Sequence, residues 1–85
     1  MKEQINYLLN KKLKYLELYM KNGREIILHK PNEEGSNSSI RLEEDYAVVK
    51  IKFDNGCINE QVIPYTAIDY INGMYDCPEL ASSGE

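Results

Sequence analysis

Between residues 46 and 71 two runs of alternating apolar and polar residues flank Asp54-Asn55-Gly56, and a third short apolar run follows Pro64. Asn-Gly between such runs predicts a hairpin, because a tight turn needs the positive φ that Asn and Gly adopt at little cost. Residues 46–53 form the clearest strand, with Val48, Lys50 and Lys52 on one face and Val49, Ile51 and Phe53 on the other. Ile58 to Ile63 pairs back on it. Pro64-Tyr65-Thr66 reads as a turn and Ala67 to Ile71 as a last strand ended by Asn72-Gly73, unless Pro64 opens a helix through Tyr70.

The N-terminal third allows two parses. Ile5, Leu8, Leu9, Leu13, Leu16 and Met20 make a helical stripe, yet Leu16, Leu18 and Met20 also alternate with Tyr15, Glu17 and Tyr19 as a strand would. The favoured parse is a helix over 3–12, a strand over 14–20, a turn at Asn22-Gly23 and a strand over 24–29. The other is one helix from 3 to 21. Pro31 to Ser39 has turn formers and no apolar anchor, which predicts a mobile loop, and Ile40-Arg41-Leu42 resumes a strand. Residues 1–75 then make one domain, followed by a polar tail over 76–85.

The 85 residues suffice for one small core, and 42% hydrophobic content with seven Tyr suits a folded chain. No apolar run approaches a membrane span and no signal peptide is visible, so the expectation is a cytoplasmic protein without membrane contact. Cys57 and Cys77 form no metal signature, and in that compartment a disulfide between them is not expected. Net charge is −4, against a nucleic-acid-binding surface over the whole molecule. The distribution is uneven, however. Residues 2–30 carry seven positive and three negative charges, and the rest three positive and eleven negative. Such a split can place a basic face on an acidic protein.

The order of elements, with Ile5-Asn6-Tyr7-Leu8-Leu9 in the helix, Leu16 to Ile26 in the first hairpin and Asp45-Tyr46-Ala47-Val48-Val49 in the middle strands, resembles the bacterial Sm-like RNA chaperones of the Hfq family. The resemblance implies a mainly β fold with an N-terminal α-helix, a small five-stranded antiparallel barrel of the Sm or SH3 type. It also implies self-assembly into a homo-oligomer and RNA or nucleotide binding, with Tyr46 at the aromatic position that stacks on bases. Where the family carries Tyr-Lys-His-Ala, this chain reads Pro64-Tyr65-Thr66-Ala67, so the family's RNA-contacting Lys and His are absent.

Catalytic chemistry has little to stand on. His29 is the single histidine, Cys57 reads as a small buried or half-buried strand residue, and the five glycines are isolated. The expectation is a non-enzyme without cofactor or metal. The tyrosines carry more weight. Tyr15 and Tyr19 share a face with Glu17 between them, and Tyr46, Tyr65, Tyr70 and Tyr75 fall in or beside later strands. Such rings serve core packing, protein interfaces or base stacking. Two classes follow. One is a self-assembling binder of RNA or a nucleotide-like ligand, using Tyr46, Tyr65, Gln4, Lys11 and Lys12. The other is a small acidic adaptor or inhibitor of the phage type, meeting a basic protein partner through Glu43, Glu44 and Asp45.

Overall fold

The computed structural model describes residues 1–76. Helix α1 spans Lys2–Leu9, followed by strands β1 (Leu13–Met20), β2 (Glu25–His29), β3 (Ser38–Leu42), β4 (Tyr46–Lys52) and β5 (Ile58–Pro64), a 3-10 turn over Tyr65–Ala67, and β6 (Ile68–Tyr75). Leu16 and Leu18 are fully buried while Tyr15, Glu17 and Tyr19 are half-exposed, so period two wins over the helical stripe and the single-helix parse fails.

The strands do not close into the five-stranded barrel that the sequence led us to expect. They form two three-stranded antiparallel sheets, ordered β2-β1-β6 and β3-β4-β5. The physical reason lies in the link from β2 to β3. Lys30 and Asn32 take left-handed conformations (φ 45° and 65°) on either side of Pro31, which breaks one extended path into two short strands. Beside this break the Asn32 side chain acts as a substitute strand, donating to the Ile40 carbonyl (3.0 Å) and accepting from the Ile40 N–H (2.8 Å). At the far ends, among the described residues, β5 pairs only with β4 and β6 only with β1.

Both Asn-Gly pairs close hairpins, and in the same way. Gly23 N–H donates to Met20 C=O and Met20 N–H to Arg24 C=O, while Gly56 N–H donates to Phe53 C=O and Phe53 N–H to Cys57 C=O. Only the glycines have positive φ, 89° each. The asparagines instead accept a backbone N–H two residues on, from Arg24 and from Cys57 (3.0 Å each). This is the three-residue loop closed by a left-handed glycine. Cys57 closes the second loop just before β5 and is exposed, against the buried or half-buried strand position read from the sequence.

One core joins both sheets and the helix, with Ile5, Leu16, Leu18, Leu28 and Val49 fully buried. Strand β6 runs to Tyr75, past the Asn72-Gly73 expected to end it. A Cβ on Gly73 would stand 3.1 Å from a Leu8 methyl carbon and 3.2 Å from one of Leu13, so here glycine lets α1 settle directly on the sheet. Ser38 and Ser39, assigned to the loop by composition, open β3. Cys77 and the expected polar tail, apart from Asp76, lie outside the described residues.

Candidate functional site

The turn from β3 to β4 holds Glu43, Glu44 and Asp45, closed by Glu43 N–H donating to Tyr46 C=O (2.8 Å). The 3-10 turn folds back on it, because Tyr65 N–H donates to Asp45 C=O (3.2 Å) and the Tyr65 hydroxyl to Glu43 C=O (2.6 Å). Burial pushes the Tyr65 phenol up from its ordinary value, and Glu43, Glu44, Asp45 and Glu3 push it further in the same direction. Tyr46 pairs across the ladder with Pro64, the residue before Tyr65. Tyr46 and Tyr65 therefore share an acidic end with the three carboxylates of the competing hypothesis. Lys2 approaches this end, its ammonium 3.9 Å from Glu44, as an exposed pair of little energetic weight.

Lys11 and Lys12 lie just past the other end of α1, which at eight residues is about 12 Å long. The Lys11 ammonium sits 4.8 Å from the Tyr7 ring centre and 5.8 Å from that of Tyr75, within cation–π reach of both. Lys12, Lys14 and Lys30 line an adjoining groove with Glu33 and Asp76, and Lys14 pairs with Asp76 at 3.2 Å. Gln4 lies between the two ends, beside Glu3, Tyr7, Leu8 and Ile71 in a mostly apolar groove. The sequence-derived ligand set is thus divided, with Lys11 and Lys12 at a basic end and Tyr46 and Tyr65 at the acidic one. Tyr7 was not singled out from the sequence, although its spacing of four from Lys11 is the signal that finds it.

A third surface is the outer face of the β2-β1-β6 sheet. Tyr19 and Tyr70, opposite each other in the ladder, stack at 4.4 Å with planes 10° apart, and Tyr15 meets His29 edge-on at 6.2 Å. Glu17 lies between the two tyrosines of β1 as the alternation predicts, and accepts a hydrogen bond from Asn72 (2.7 Å). Burial, then Glu17 and Glu25, pushes the Tyr19 phenol up. Among the described residues, no three His, Cys, Asp or Glu side chains gather in a metal-binding arrangement.

Finally, among the described residues β5 and β6 each leave one edge unpaired, over seven and eight residues. Neither contains a Lys or Arg, although β5 carries Glu60 and Pro64 and β6 carries Asp69, and β5 exposes Ile58 and Val62. No described helix is long and apolar enough to cross a membrane. No protein-family model, curated protein or solved structure matches this chain.

Proposed function

We propose that the protein is a non-enzymatic binding protein that assembles with copies of itself and holds single-stranded RNA at its basic end. The observation that carries the RNA reading is Lys11 between the exposed rings of Tyr7 and Tyr75, with Lys12, Lys14 and Lys30 alongside. Rings for stacking and ammonium groups for phosphates are what sequence-tolerant single-strand binding requires, at about 1–3 kcal/mol per stacked base. Assembly is supported by these two open edges. The β5 edge, bearing Val62 and Ile58, can extend the sheet of the next copy at β6, beside the groove of Leu8 and Ile71.

The test combines light scattering on a sizing column with anisotropy titration of a labelled RNA decamer. The expected result is a species larger than the monomer that binds RNA with a salt-dependent affinity. Replacing Tyr7 and Lys11 together by Ala should weaken RNA at least about tenfold, and Val62→Lys should lower the assembly state. A strict monomer without affinity for RNA refutes the reading. A second reading, an acidic adaptor for a basic protein, is favoured by the four carboxylates around Tyr65. It requires Glu43→Lys with Glu44→Lys to abolish partner binding while leaving RNA affinity no weaker.

A further inference from the structure

Where β1, β2 and β4 meet the loop that follows β2, a cleft of about 420 Å³ opens. Lys14, His29, Lys30, Lys52, Ser36 and Asn37 line it, and among the described residues no carboxylate does. In a chain of net charge −4 this is a concentrated cationic lining. Ile27 and Ile51 provide its apolar walls.

Backbone hydrogen bonds set these residues in place. Lys30 N–H donates to Lys14 C=O and Lys52 N–H to Asn37 C=O (2.9 Å each), while the Ser36 hydroxyl donates to His29 C=O (2.7 Å). The backbones from which the exposed Lys30 and Lys52 side chains extend are therefore fixed. Lys14 is partly neutralised by Asp76 at 3.2 Å, but Lys30 and Lys52 make no ion pair among the described residues. Lys30 also sits at φ 45°, a conformation glycine would adopt without steric cost. A strained residue that brings charge into a cleft is a pointer to function.

We propose that this cleft binds the phosphate chain of a nucleoside triphosphate, with Lys30 and Lys52 on the phosphates and the base against Ile27 and Ile51. The volume lies within the range of small-molecule sites and suits one nucleotide. The proposal stands independently of the RNA reading. The two sites share Lys14 and Lys30, so Lys52 and Lys11 separate them.

The experiment is an amide NMR titration of the full chain with ATP, inorganic triphosphate and an RNA decamer in turn. ATP should give saturable shifts at His29, Lys30, Ser36, Asn37 and Lys52. Lys52→Gln should weaken ATP about tenfold or more without weakening RNA, and Lys11→Ala should do the reverse. Lys30→Gly should weaken ATP to a similar degree while its thermal midpoint stays at or above that of the parent, which a merely structural lysine would not do. Absence of ATP shifts at millimolar concentration, or unchanged ATP affinity in both cleft variants, overturns the proposal. Inorganic triphosphate binding as tightly as ATP overturns the assignment of the apolar walls to a base. Shifts at Ser36, Asn37 and Lys52 with RNA but not with ATP overturn the small-molecule assignment.

Discussion

Asn32 combines two separable demands, and its substitution is the most informative single perturbation of the fold. Its side chain satisfies both backbone groups of Ile40 at 3.0 and 2.8 Å, and its own backbone is left-handed at φ 65°. Each lost hydrogen bond costs about 0.5–1.5 kcal/mol. A Cβ-bearing residue other than Asn or Asp adds about 1–2 kcal/mol at that φ. Asn32→Ala should therefore destabilise by about 2–5 kcal/mol, a large part of the ~5–15 kcal/mol typical of a domain. Asn32→Gly keeps the backbone conformation at ease and loses only the hydrogen bonds, so it should cost less, about 1–3 kcal/mol. Asn32→Asp retains the acceptor for Ile40 N–H but sets a carboxylate oxygen against the Ile40 carbonyl, and should fall below the parent as well. Urea unfolding reads all three as shifts in midpoint at unchanged slope. If Asn32→Ala lies within about 0.5 kcal/mol of the parent, the side chain is not holding β3. If Ala and Gly are equally destabilised, the left-handed cost has been assigned wrongly.

Three further outcomes follow from the geometry. Gly73→Val should cost about 1–3 kcal/mol by overpacking and speed amide exchange in α1 most of all, since the new methyls press on Leu8 and Leu13; unchanged α1 protection would contradict this. Gly23→Ala meets nothing within 4 Å, so its cost is the backbone alone, about 1–2 kcal/mol, visible as a drop of roughly 4–8 °C per kcal/mol in the thermal midpoint. The folded-state pKa of Tyr65 is raised, so its contribution is fully present below the ordinary value of 10.0 and is lost as pH rises through the folded value. Tyr65→Phe should lose about 0.5–1.5 kcal/mol at pH 8 with the hydrogen bond to Glu43, and its stability should fall less between pH 9 and 11; parallel alkaline limbs would count against the assignment.

Much of the secondary structure was legible because the signals were local. The alternation Tyr15-Leu16-Glu17-Leu18-Tyr19 and the two Asn-Gly pairs report on residues within a turn or a strand of one another. The number of sheets was not legible, since the loop read over 31–39 does not say whether the strands on either side of it join one sheet or two. That is decided by an asparagine reaching eight residues along the chain to Ile40. The extent of β6 was hidden for a related reason. Asn72-Gly73 reads as a terminator, and only the packing of Leu8 on Gly73 reveals a glycine serving close approach. The ligand residues were read as one set because nothing local says that the 3-10 turn folds over Glu43, Glu44 and Asp45. Lys11 was found without its partners, because Tyr75 joins it through the pairing of β6 with β1.

The separation of charge along α1 has a consequence for handling the molecule. At 0.1 M salt the field of an exposed charge decays over about 10 Å, comparable with the helix of about 12 Å between the two ends. Each end therefore meets its surroundings as a separate object, and the sequence pI of about 5.0 does not describe either one. A column packed with negatively charged beads should retain this acidic protein at pH 7 through the lysine end. One with positively charged beads should retain it through the Glu43-Glu44-Asp45 turn, in the opposite orientation.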